Sequence, residues 1–209
     1  AAGYAVDYVS PKGGYTPIDP HSLAMAEPID WEWYQKKEFM NRLGATLAPS
    51  EVKPDDYAAI YYAGGHGVIW DFPENEALQR ISRTIYERGG IVSSVCHGAV
   101  GLLNITLSNG SLLVKGKTVT GFSNEEERLA ELDKFVPFLT ETELVSRGAA
   151  YTKAGQAWAP FAVEDDRLRL AKSLLHVDSE RSNDGRHLAA GEAQQHHPER
   201  ERRDLAAPD

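Results

Sequence analysis

The chain has 209 residues, a formal net charge of -9 at pH 7 and one cysteine, enough for one domain with an ordinary core but not for two full domains. Its acidic balance, with a sequence pI near 5.3, excludes sequence-independent nucleic-acid binding, which needs a basic surface to neutralise phosphates. No stretch approaches the roughly 18 apolar residues of a membrane helix, and no charged-then-apolar leader opens the chain, so a cytoplasmic protein without membrane contact is expected.

Short β-rich runs alternate with helical stretches, the pattern of a parallel sheet covered by helices. Tyr4 to Val9 reads as a strand ended by Ser10-Pro11-Lys12-Gly13-Gly14, and Gly13 to Ile29 as an ordered loop. Glu32 to Leu43 has helical spacing, with Trp33, Phe39, Met40 and Leu43 as its candidate buried face. Tyr57 to Tyr62 is a near-continuous apolar run, as in a strand buried on both faces, and Gly64-Gly65-His66-Gly67 comes directly after it. Glu74 to Arg88 is the clearest helix, with Leu78, Ile81 and Ile85 in register and Gly89-Gly90 as a stop. Ile91 to Val95 is the next buried strand. Leu102 and Leu103 suggest a short helix, Lys117 to Phe122 a strand, and Glu141 to Arg147 a helix ended by Gly148.

Composition changes near Leu168. Beyond it the chain is rich in Arg, Glu, Asp, His and Gln without sustained periodicity, so residues 1–168 are expected to form the α/β domain and 169–209 a disordered polar tail. His187 and the pair His196-His197 lie in that tail and are not expected to bind metal.

The single cysteine forbids an internal disulfide and cannot alone make a structural zinc site, so its use is either packing or reactivity. Its setting favours reactivity. In Ile91-Val92-Ser93-Ser94-Val95-Cys96-His97-Gly98-Ala99-Val100 a buried strand runs into Cys96, then a glycine, then a helical stretch, which is the pattern of a nucleophile elbow. Gly98 is expected to keep that turn uncrowded. Backbone N–H groups at the start of the adjoining helix are expected to lower the thiol pKa. Gly64-Gly65-His66-Gly67 ends a parallel strand on the same sheet edge, so backbone N–H groups of Gly65 and His97 could converge on an oxygen above the sulfur as an oxyanion hole. The plainer reading of that loop is a tight turn.

Tyr62-Ala63-Gly64-Gly65-His66-Gly67 with Trp70-Asp71-Phe72-Pro73, then Val95-Cys96-His97-Gly98, then Val119-Thr120-Gly121-Phe122-Ser123-Asn124-Glu125-Glu126, together resemble the ThiJ/PfpI superfamily, also called class I glutamine amidotransferase-like. The resemblance covers Ala1 to Leu168 and is closest to the branch of glutathione-independent glyoxalases and stress chaperones. It implies a flavodoxin-like α/β fold, doubly wound, with a mostly parallel sheet and helices on both faces. It places the nucleophile on Cys96, its adjacent histidine on His97, and the oxyanion donors on Gly65 and His97. An acid that orients the histidine falls on Glu127, with Glu126 and Glu125 as competitors; any of the three could instead be a plain acid at a helix N-terminus.

Three departures from the family pattern stand out. The chain opens at Ala1-Ala2-Gly3-Tyr4, which resembles the end of the family's first helix and the start of its second strand, so the chain is expected to lack the first strand and the glutamate that the family carries on that helix as acid/base. Ala99 replaces a proline common after Cys-His-Gly. The closing strand, turn and helix give way to the polar tail, as a frameshift would produce. The activity implied is a lyase of glyoxalase III, or D-lactate dehydratase, type, which turns methylglyoxal or a similar small 2-oxoaldehyde into a 2-hydroxy acid without a cofactor. A holdase chaperone or thiol redox sensor without turnover is the alternative, and a protein deglycase or peptidase would share the same thiol. A glutaminase using His197-Pro198-Glu199 is disfavoured, because a catalytic histidine should follow a strand. The resemblance also implies a homodimer.

Overall fold

The structure is a computed structural model and describes residues 4–173. In chain order these form helices α1 (Pro20–Ala24), α2 (Pro28–Tyr34) and α3 (Lys37–Gly44), strand β1 (Ala59–Tyr62), helices α4 (Val68–Asp71) and α5 (Glu76–Glu87), and strand β2 (Ile91–Val95). A 3-10 helix, Cys96–Leu102, leaves β2; then come β3 (Thr118–Val119), α6 (Asn124–Leu129), α7 (Thr140–Ser146), β4 (Ala150–Tyr151), β5 (Phe161–Asp165) and β6 (Leu168–Ser173).

One sheet has the order β1-β2-β6-β5, and β3 pairs with β4 in a second, two-stranded sheet. β1, β2 and β6 run parallel, with Ala59 opposite Ile91 and Val92 opposite Leu168, whereas β5 is antiparallel to β6. The fold is thus flavodoxin-like α/β, with mostly parallel strands and interspersed helices. No helix among the described residues is long and apolar enough to cross a membrane.

The elements that position the site arise from local chemistry. Asn75 caps α5 by accepting the Leu78 N–H at 3.0 Å, and Gly89, at φ +91°, ends the helix in a conformation costly for other residues. Leu78, Ile81, Ser82, Ile85 and Tyr86 form the buried stripe that packs α5 on β1 and β2. Val92, Val100, Leu102, Ile105, Val119, Leu144 and Leu168 form the centre of the core, each without measurable exposure.

Several expectations are corrected. Tyr4 to Val9 forms no strand; only Val9 makes an isolated bridge, to Leu47. The helix expected over Glu32 to Leu43 is broken at Gln35 and Lys36 into α2 and α3, and neither helix holds a buried residue, so Trp33, Phe39, Met40 and Leu43 form no fully buried face. Their aromatic rings pack on one another, with Phe39 against Tyr8, Trp33 and Tyr34. The strand expected over Lys117 to Phe122 is limited to Thr118–Val119. The sheet continues past Leu168 through β6 to Ser173, while residues 174–209, with His187, His196, His197 and Glu199, lie outside the described residues.

Candidate active site

β1 and β2 are parallel neighbours, so the turns at their carboxyl ends meet. Cys96, the first residue after β2, has φ +56°, a left-handed conformation that costs a non-glycine residue about 1–2 kcal/mol and that tertiary packing must hold in place. That packing is visible in the glycines. A Cβ on Gly64 would lie 2.8 Å from the Cys96 Cβ, and one on Gly98 would lie 2.3 Å from the Tyr62 carbonyl oxygen. The Phe122 N–H donates to the Cys96 carbonyl at 3.2 Å, which fastens the Thr120-Gly121-Phe122 segment to the same turn.

The backbone N–H groups of His97 and Gly65 lie close enough to the Cys96 sulfur to favour its thiolate. They do not lower the thiol pKa as expected. Burial pushes it above the ordinary thiol value, the two N–H groups act against that rise, and the Glu126 and Glu127 carboxylates add to it. The expected lowering depends on the start of a helix, but the segment from Cys96 onward is a short 3-10 helix with six buried residues. Desolvation therefore outweighs the two nearby N–H groups.

His97 is fully buried, with Nδ1 3.6 Å from the Cys96 Sγ and Nε2 2.8 Å from Glu127 Oε2. Burial lowers its pKa to about 4, against the opposing effect of the Glu127 hydrogen bond. Near pH 7 the ring is therefore neutral. With Nε2–H donating to the carboxylate, the Nδ1 lone pair faces the thiol, the arrangement a base needs. Phe122 covers the imidazole at 4.1 Å between ring centroids.

The three glutamates have separate surroundings. Ser123 caps α6 in a capping box with Glu126, whose carboxylate accepts the Ser123 N–H and hydroxyl. Glu126 also accepts the Trp158 N–H at 2.7 Å and pairs with Lys172 Nζ at 2.8 Å, both members of the pair being 1% exposed. Burial acts to raise its pKa, but Lys172 and the other donors win and hold the carboxyl below its ordinary value. Glu125 faces outward and meets Lys153 at 3.4 Å. Of the three, Glu127 reaches the histidines. One helical turn explains the division: consecutive residues point about 100° apart, so only one can face the elbow.

Four groups at the site escape sequence reasoning. The His66 side chain lies 4.1 Å from the His97 ring and donates from Nε2 to Glu127 Oε1 at 2.8 Å. Its position after one parallel strand, matching His97 after the next, is the available signal. Phe122 stands out in the sequence only as part of a motif. Trp158, at φ +63° and 5.7 Å from Phe122, sits in a stretch without periodicity. Lys172 falls where composition suggests a tail. His66, His97 and Glu127 offer three donor atoms within 4.8 Å of one another.

The model of the DJ-1/PfpI family matches residues 1–164. The glutathione-independent glyoxalase HSP31 of Saccharomyces cerevisiae is 32% identical over 176 residues, covering 79% of this chain and 73% of that protein. Glyoxalase 3 of Candida albicans is 35% identical over 175 residues, covering 79% and 74%. Among solved structures, glyoxalase III from Candida albicans matches with TM-score 0.74 and 31% identity over 80% of this chain and 74% of that one. The 24 kDa rapid encystment protein of Francisella tularensis matches with TM-score 0.79 and 34% identity, over 83% and 76%. A family match over most of the chain, joined to an elbow cysteine with a neighbouring histidine, leads to one conclusion: the chain belongs to the DJ-1/PfpI family.

Proposed function

We propose that the chain is a glyoxalase III-type lyase, which converts methylglyoxal or a similar small 2-oxoaldehyde and water to the 2-hydroxy acid without glutathione. The observation that carries this reading is the buried line from the Cys96 Sγ through the neutral His97 ring to Glu127. His97 Nδ1 takes the thiol proton as the sulfur adds to the aldehyde carbon, giving a hemithioacetal. The N–H groups of Gly65 and His97, both close to the sulfur, would hold the oxygen that becomes negative as that bond forms.

A base next removes the aldehyde-derived C–H proton, and the resulting enediol is protonated at the neighbouring carbon. That leaves a thioester, which water hydrolyses to the acid and free thiol. His97 is our choice for this base, held in one tautomer by Glu127. A redox-sensor role fits less well, because burial keeps Cys96 protonated and thiolate character governs oxidation. A cytoplasmic homodimer belongs to the same reading.

The test is turnover of methylglyoxal in deuterium oxide without glutathione. Lactate carrying deuterium at C2 is expected, since the enediol proton exchanges with solvent. Lactate with only protium there would mean a hydride shift or a proton returned by the same base before it exchanges, and absence of lactate would remove the lyase reading.

A further inference from the structure

Thiol chemistry of this kind needs one imidazole, yet two crowd the same carboxylate. His97 Nε2 and His66 Nε2 each lie 2.8 Å from a different oxygen of Glu127, and one nitrogen from each ring plus a carboxylate oxygen fall within 4.8 Å of one another. Around a tetrahedral Zn2+, with bonds of about 2.0–2.1 Å, donor atoms stand about 3.3–3.4 Å apart. The two imidazole–carboxylate contacts, which run to different oxygens of Glu127, would open by about half an ångström, and the two ring nitrogens, now within 4.8 Å of each other, would settle at the same spacing around the ion. Two imidazoles and one carboxylate are a donor set for Zn2+ and similar ions, and the nitrogens disfavour Mg2+ and Ca2+. His97 and Glu127 are 1% and 2% exposed at their side chains, whereas His66 is 35% exposed, so the third donor is the one reached from solvent.

We propose that His66 Nε2, His97 Nε2 and a Glu127 oxygen bind one divalent transition ion of the Zn2+ class, and that its binding silences Cys96. The binding stands on geometry alone; the silencing rests on the lyase reading. Metal on His97 Nε2 displaces the proton there to Nδ1, the atom that faces the Cys96 Sγ at 3.6 Å. A ring that presents N–H to the thiol cannot accept its proton, so the first step stops without any redox change. Removing the ion returns the proton to Nε2 and the lone pair to Nδ1.

The binding experiment uses Zn2+ alone, titrated against a competing chelator into the Cys96→Ala chain with and without His66→Gln. One Zn2+ per Cys96→Ala chain is expected, with affinity at least about tenfold weaker when His66→Gln is added. No binding, binding lost with Cys96→Ala, or binding indifferent to His66→Gln would each overturn the site. Co2+ in the unmutated chain gives a second reading that needs no variant: a tetrahedral spectrum without a thiolate charge-transfer band is expected, and such a band would assign the metal to Cys96. For silencing, Zn2+ should abolish lactate formation and a chelator restore it, with the inhibitory midpoint moved upward in His66→Gln relative to that variant's own zinc-free rate. An unmoved midpoint would overturn silencing. A zinc-free chain that forms no lactate would instead count against the lyase, while the titration still decides the metal site.

Discussion

Glu127 Oε2 accepts the His97 Nε2 proton at 2.8 Å, with both side chains almost wholly withdrawn from water. In that setting the bond decides which nitrogen of His97 is free. A Glu127→Gln variant keeps the shape but can present an N–H to the ring, which favours the wrong tautomer. Lactate formation is expected to fall by about 100-fold or more. Glu125→Gln, on the outer side of the same helix, is expected to stay within about twofold. Equal losses in the two variants would mean that the acids serve α6 rather than the histidine.

The elevated Cys96 pKa fixes the sign of a pH dependence. Alkylation by iodoacetamide tracks the thiolate, so at pH 7 Cys96 should react more slowly than a free cysteine. Its rate should climb about tenfold per pH unit and keep climbing beyond pH 9, because the folded thiol gives up its proton later than an ordinary one. A plateau below pH 8 would contradict the balance in which burial defeats the two N–H groups.

Glu126 and Lys172 form an ion pair at 2.8 Å with each member 1% exposed. Lys172→Met removes the cation and strands the carboxylate, which is expected to lower stability by about 3 kcal/mol in denaturant unfolding. The double variant Glu126→Gln with Lys172→Met should recover part of that loss. No recovery would mean that the lysine stem matters more than its charge.

Gly98→Ala would drive a Cβ to 2.3 Å from the Tyr62 carbonyl oxygen, a backbone atom that cannot step aside. A loss of at least about 2 kcal/mol is expected. Gly44→Ala is the control, since nothing lies within 4 Å of its Cβ position and alanine suits the end of α3; it should be neutral or slightly stabilising. Similar melting temperatures for the two variants would contradict the close approach of β1 to the elbow.

The elbow is legible in the sequence because its signals are local: an apolar run of strand length, then Cys96, His97 and Gly98. α5 is legible for the same reason, through its period and its stop at Gly89. The β5–β6 hairpin is not, since Glu164, Asp165, Asp166, Arg167 and Arg169 fill a short antiparallel pair with charge that hides its strands, and the second strand runs past Leu168 into residues that composition reads as tail. Leu168 and Leu170, at 0% and 2% exposure, carry the alternation. Lys172 is hidden by its residue type, because a buried lysine depends on a carboxylate distant in sequence. His66 reads only as part of a glycine turn; its role as a neighbour of His97 requires knowing that β1 and β2 are adjacent. The choice among Glu125, Glu126 and Glu127 needs the phase of α6, which no residue pattern displays.

D-lactate formation from methylglyoxal without glutathione, measured for this chain and for Cys96→Ala, decides whether the lyase reaction runs through the Cys96 thiol. Steady turnover is expected in the first and a rate no greater than the uncatalysed background in the second. Equal rates in the two would contradict that expectation, because the chemistry would then not pass through the sulfur that β1, β2 and Glu127 are arranged around.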